Sequence, residues 1–243
     1  MRISSYLTAG IFAPLILAQS LCDQYGYYAQ AGYYFNNNRW GQGSGQGSQC
    51  LTVNWVNSDG VGWKADWTWS GGANNVKAYP YSGLTMSNKL LVSQIGYLGT
   101  SVSWQYSNTN IRANVAYDLF TAANPNHDTS SGDYELMIWR VLPPLAKFGD
   151  IQPIGSSQGR VTVGSRSWDL WYGVNNGMKI YSFVAASPVT EFNEDIKPFF
   201  NYLQNSKGFP ASSQYLITNQ FGTEPFTGGP TTFTVSRWNA KVN

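Results

Sequence analysis

The chain has 243 residues, a formal net charge of +2 and only 12% charged residues, with no basic run of the kind that holds nucleic acid. No stretch is long and apolar enough to suggest a membrane helix, and no membrane partner is expected. Two cysteines and a single histidine, His127, are too few for a zinc site and argue against most metal and Ser-His chemistry, so no metal and no cofactor is expected.

From the N-terminus, Arg2, an apolar run over 7–18 broken by Pro14, and the small residues Ala18-Gln19-Ser20 predict a secretory signal peptide over 1–20. The remainder, 21–243, fits one domain of an extracellular protein. Secretion places Cys22 and Cys50 in an oxidising compartment, where an even count predicts that they pair. Closing a loop of about 29 residues would contribute roughly 3–4 kcal/mol. An aromatic run over 27–35 alternates and leads through Asn36-Asn37-Asn38-Arg39-Trp40-Gly41 into a Gly/Ser/Gln loop. Strands are predicted over 51–57, 62–70, 76–81, 90–95, 102–106, 111–120, 134–140, 160–163, 168–172, 179–185, 214–221 and 231–238. One helix interrupts them, with Ile196, Phe199, Phe200 and Leu203 on one face, Asp195 as N-cap, Pro198 in the first turn and Gly208 closing it. Many short strands between Gly/Asn/Ser turns predict an all-β sandwich or barrel.

The strand over 134–140 is the informative one. Tyr134, Leu136 and Ile138 share one face and read as core. Glu135, Met137 and Trp139 share the other, and a carboxylate in that company is costly unless it has a task. Glu224 sits at another aromatic strand end, in Phe221-Gly222-Thr223-Glu224-Pro225-Phe226, where the following proline interrupts ladder pairing. Asp118 lies mid-strand against propensity, which suits a supporting role to a catalytic carboxylate. Glu191 and Glu194 precede the helix among polar residues and read as solvated, and His127 reads as a loop hydrogen-bonder. Two carboxylates, aromatic platforms (16% of residues are aromatic) and no metal ligands suit glycoside hydrolysis. Burial and mutual repulsion would raise one carboxyl pKa and separate the roles of acid and nucleophile.

Glu135-Leu136-Met137-Ile138-Trp139 and Gly222-Thr223-Glu224-Pro225-Phe226-Thr227-Gly228 resemble the two signature stretches of glycoside hydrolase family 12. The run from Ala116 to His127, Asn37-Asn38-Arg39-Trp40-Gly41, Trp69-Ser70-Gly71-Gly72 and the cysteine pair are similar to the fungal endoglucanases of that family. The resemblance implies a concave β-jelly roll of two antiparallel sheets with an open cleft, and a retaining mechanism. It implies that Glu135 is the nucleophile, Glu224 the general acid/base and Asp118 the residue that hydrogen-bonds the nucleophile. Trp40 is implied as a glucose-stacking platform on the non-reducing side, with Asn38 beside it and Met137 and Trp139 in the floor. Phe226, Asn175 and Tyr25 are further cleft candidates. Arg39 stands where the family usually has Leu. The stretch 140–147 is longer than the usual loop and holds two prolines.

The expected protein is therefore a secreted, monomeric endo-β-1,4-glucanase acting on cellulose or mixed-linkage glucan. A xyloglucan-specific enzyme is the alternative. Phe221-Gly222 stands where xyloglucanases of the family more often have Ala-Gly, which favours the general glucanase. A non-catalytic glucan-binding jelly roll would need the aromatic face but not both glutamates.

Overall fold

A computed structural model describes residues 18–141, 151–189 and 191–243. The apolar part of the expected signal segment up to residue 17, and the expected long loop beyond Val141, lie outside the described residues. Fifteen strands are present among the described residues. They are β1 (Gln19–Leu21), β2 (Tyr27–Gln30), β3 (Tyr33–Asn36), β4 (Gln46–Asn57), β5 (Gly60–Ser70), β6 (Tyr81–Leu84), β7 (Leu98–Tyr106) and β8 (Ile111–Ala122). After these come β9 (Tyr134–Val141), β10 (Ser156–Val163), β11 (Arg166–Asn175), β12 (Met178–Pro188), β13 (Glu191–Asp195), β14 (Tyr215–Leu216) and β15 (Gln220–Val242).

The last strand joins the two layers of the jelly roll. The first half of β15 lies between β6 and β8, and its second half lies between β5 and β7. It changes layers at Gly228 and Gly229, whose φ values of 119° and 95° suit glycine. One layer runs β2-β3-β6-β15-β8-β9-β12-β11-β10, the other β1-β4-β5-β15-β7-β13. Pairing is antiparallel throughout except between β9 and β12, which run parallel.

Alternation decides what fills the space between layers. Trp63, Ala65, Trp67 and Trp69 of β5 are all buried, as their shared face predicts. Trp63 meets Phe233 edge-on at 5.5 Å, and Tyr117 meets Phe221 at 4.8 Å. Each such side chain contributes about 1.5–3 kcal/mol on full burial. The helix α1 (Lys197–Lys207) packs Phe199 against Trp168 at 4.9 Å and Phe183 at 5.0 Å, and Gly208 closes it in the left-handed conformation. Its N-cap is Ile196, not Asp195. The Asp195 carboxylate sits one residue earlier and accepts hydrogen bonds from Lys197 N and Leu98 N, both at 2.9 Å.

Two expected strands are absent. Residues 76–80 join no ladder, because Lys77 N donates to Pro225 O and Tyr79 N to Asn38 O, two different segments. Residues 92–94 form a 3-10 turn, and only Leu91 makes a bridge, to Tyr215. A strand that was not expected is β13, which pairs with β7. In it Glu194 is ion-paired to Arg166 at 2.9 Å rather than simply solvated.

Cys22 and Cys50 are bonded, 28 residues apart in sequence, and fasten the segment before β2 to β4. We expect Cys22→Ala/Cys50→Ala to lose about 3–4 kcal/mol in urea unfolding. A loss under about 1 kcal/mol would show that the network around Asn37 holds this segment without the bridge. Asn37 Nδ2 donates to Asp23 O at 2.9 Å and to Gln49 O at 3.2 Å.

Candidate active site

The face of the first layer that carries the acids can be read from register. Asp118 of β8 is flanked by Gln220 of β15 and Met137 of β9, and Ala116 by Gly222 and Trp139. Glu135 lies opposite Phe120, and Glu224 opposite Asn114. Even-numbered residues of β8 therefore share a face with Glu135, Met137 and Trp139, and with Glu224. The other face holds Val115, Tyr117, Leu119, Leu136 and Ile138 in the main core. One strand pattern thus serves both the core and the cleft floor.

Three acids meet on this floor. Glu135 is 9% exposed and Asp118 7%, while Glu224 is half-buried. Burial pushes all three carboxyls up. The Glu224 charge raises Glu135 further, and the charges of Glu135 and Glu224 both raise Asp118. Asp118 hydrogen-bonds Glu135, which lowers the Glu135 pKa and raises that of Asp118. The proton in that bond therefore belongs to Asp118, a neutral acid donating to the Glu135 carboxylate. Glu224 is pushed up to about 7, with a hydrogen bond from Asn114 pulling the other way. Asn114 Nδ2 donates to the Glu224 carboxylate and its Oδ1 accepts from Glu224 N at 3.0 Å. One residue thus fixes Glu224 by both side chain and backbone.

Beneath the acids, Met137, Trp139 and Phe226 belong to one buried cluster with Ala116, Ile151 and Ile180. Trp139 Nε1 donates to Met137 Sδ at 3.3 Å. Trp139 is 3% exposed, so it supports the floor rather than offering a stacking face. Trp40 and Tyr25 are the opposite case, 54% and 56% exposed. They flank one junction: Arg39 N donates to Gln24 O at 2.8 Å, and the Arg39 guanidinium donates to Cys22 O at 2.9 Å. Asn38, at φ 42°, turns the chain there and its carbonyl accepts from Tyr79 N. Asn175 lies at the far end of the floor, at the β11–β12 turn. There it lines a polar cavity of about 640 Å³ with His127, Ser130 and Asn176. His127 Nδ1 is 2.8 Å from Asp128 O, a local loop contact.

Sequence reading missed Asn114, which holds Glu224, and Gln220, which flanks Asp118. Asn114 was detectable: a mid-strand Asn four residues before Asp118 violates propensity on the same face. Asp118→Ala is expected to lower kcat/KM by about 10- to 100-fold, the worth of a hydrogen bond to a charged group. Losing that donor raises the Glu135 pKa, so the acid limb of the pH–rate profile should move to higher pH. An unmoved limb would mean Asp118 does not tune Glu135.

Paired, pKa-raised carboxylates on an open floor flanked by exposed aromatics are the equipment of a glycoside hydrolase. The sequence model described as "Glycosyl hydrolase family 12" matches residues 31–243. Endoglucanase A of Aspergillus kawachii is 52% identical over 241 residues, covering 98% of each chain. A protein of Aspergillus terreus named probable xyloglucan-specific endo-beta-1,4-glucanase A is 42% identical over 223 residues, covering 91% of this chain and 86% of its own. The crystal structure of Trichoderma harzianum endoglucanase 3, from the same family, superposes with a TM-score of 0.88 at 52% identity, covering 95% of this chain and 100% of its own. The chain belongs to glycosyl hydrolase family 12.

Proposed function

We propose that the protein is a secreted, monomeric endo-β-1,4-glucanase that cuts internal bonds of β-glucans with retention, using Glu135 as nucleophile and Glu224 as acid/base. The observation that carries this reading is the asymmetry of the floor. Burial raises both carboxyls, Glu135 to about 8 and Glu224 to about 7, and what differs is the partner: Glu135 is hydrogen-bonded by an acid, Asp118, which stabilises its carboxylate as it forms, and Glu224 by an amide, Asn114. In the first step the Glu135 carboxylate bonds to the anomeric carbon. The glycosidic bond breaks, and the Glu224 proton passes to the departing sugar oxygen. In the second step Glu224 takes a proton from water. The water oxygen bonds to the anomeric carbon and Glu135 leaves as a carboxylate.

Trp40, Tyr25 and Asn38 bind sugar on the non-reducing side in this reading, and Met137, Trp139 and Phe226 hold the floor in shape. Asn175 and its polar cavity border the Glu135 end. The 52% relative is named simply an endoglucanase and the xyloglucan-specific one is 42% identical, which supports linear or mixed-linkage glucan as the preferred substrate. Xyloglucan is the second reading, supported by the names of the more distant relatives.

We also propose that residues 1–18 form the cleaved signal segment. Gln19↔Val53 and Ser20↔Thr52 are ladder pairs of β1, so a cut after Ala18 keeps β1 whole where a cut after Ser20 would remove two of its three residues. Reducing-sugar release from barley β-glucan and from xyloglucan, in parallel, tests the function. Faster release from barley β-glucan is expected, faster release from xyloglucan would make the second reading the first, and none from either would sink both.

A further inference from the structure

Three of the exposed aromatic side chains lie in or beside the edge strands β2 and β3: Trp40, Tyr25 and Tyr27. The first two are accounted for above. Tyr27 is the most exposed of the three, at 59%, and it does not stand alone. Its ring stacks with that of Tyr34 on the next strand, centroids 6.1 Å apart and planes 27° from parallel. Tyr34 in turn meets Tyr81 edge-on at 5.9 Å, and its hydroxyl accepts from Gln220 Nε2 at 3.1 Å. Gln220 is the register partner of Asp118. The row thus runs without a break from the catalytic acids to the rim.

The backbone is shaped to lay this row flat. Tyr34 is paired across the sheet with Gly83, and a Cβ on Gly83 would fall 2.2 Å from Tyr34 Cζ. The ring therefore lies over the bare backbone of β6, on the face that register shares with Asp118. The neighbouring residues Tyr28 and Phe35 stack with each other on the opposite face, against the core. No core packing calls for Tyr27 and Tyr34 to face the cleft side.

Resting on the reading of this cleft as a glucan cleft, we propose that Tyr27 and Tyr34, braced by Tyr81 and Gln220, form an additional glucosyl-binding floor for the non-reducing end of a long β-1,4-glucan. The spacing suits it. From β8 to β2 there are four strand steps, about 19 Å, and a β-1,4-linked glucosyl unit extends by about one such step. Tyr34 lies about three units and Tyr27 about four units from Asp118 on that count, with Glu224 one strand nearer and Glu135 one strand further. Strand β3 leads directly into the Asn36–Trp40 segment, so the row and the Trp40 platform serve the same side of the cleft.

The test compares cellohexaose with cellotriose, which is too short to reach the row. Tyr27→Ala and Tyr34→Ala should each lower the ratio of kcat/KM on hexaose to that on triose by about tenfold, the loss of one stacking face. Tyr27→Phe, which keeps the ring, should restore it. A ratio that stays within about twofold of the wild type in both Ala variants overturns the proposal, as does a Phe variant no better than Ala. Cellohexaose titrated calorimetrically into Glu135→Gln, with and without Tyr27→Ala, separates this from the catalytic reading. Weaker binding with Tyr27→Ala supports the row even if the wild type cuts no glucan, and equal binding overturns it even if the wild type cuts well.

Discussion

Replacing Glu135 with glutamine should abolish hydrolysis of β-glucan while leaving glucan binding in place. The amide has the shape of the carboxyl and still accepts the hydrogen bond from Asp118, so the floor and its packing remain. It cannot form the bond to the anomeric carbon. Loss of a nucleophile removes a whole reaction step rather than one interaction, and the expected fall in kcat/KM is about four to six orders of magnitude. Reducing-sugar release measures the fall, and calorimetry with cellotetraose checks the binding. A loss of less than about a hundredfold would mean that β9 does not supply the attacking group.

Glu224→Gln should show a different signature. Without its acid, kcat/KM on β-glucan falls by about 10²–10⁴. An aryl cellobioside with a good leaving group needs no proton for the first step, so its loss should be far smaller there. Azide, which needs no general base, should then restore turnover and give a β-glycosyl azide. An equal loss on both substrates, with no azide rescue, would move the acid/base role off Glu224.

Two pH effects follow from the same carboxyl. An acid held up at about 7 stays protonated well above the usual carboxylate range, so wild-type kcat/KM should fall only above about pH 7. For stability the sign is opposite to that of an ion-paired carboxylate. Below the ordinary value of 4.5 both folded and unfolded chains carry the proton, and the stabilising contribution is complete. Between 4.5 and about 7 only the unfolded chain ionises, so stability drains away as pH rises, by up to about 1.4 kcal/mol per pH unit for one group. Glu224→Gln removes that penalty. Its Tm should match the wild type near pH 4 and exceed it near pH 8, and an equal difference at both pH values would contradict the raised pKa.

Much of this site was legible because β-strands have a period of two. Glu135, Met137 and Trp139 had to share a face, and Leu136 and Ile138 had to take the other, whatever the fold. A glutamate and an aspartate placed mid-strand against propensity mark the acids by residue type and position alone. The same rule over-reached at 76–81 and 90–95, where alternation reflects packing rather than pairing. At Lys77 and Tyr79 the backbone hydrogen bonds go to two separate segments, which no local pattern announces.

Sequence by itself determined the face of each strand and the helix from Lys197 to Lys207 with its closing glycine, because these depend on spacing along the chain, and the cysteine pair, because an even count in an oxidising compartment pairs. Tertiary structure alone decided which strands are neighbours. It folded β15 across both layers, set Asn114 against Glu224 from 110 residues away, and hydrogen-bonded Asp118 to Glu135. It also decided which aromatics are buried supports, such as Trp139, and which are open faces, such as Trp40 and Tyr27. Burial and charge proximity depend on contacts between distant segments, and those contacts, not residue type, raise the carboxyl pKa values that make the floor reactive.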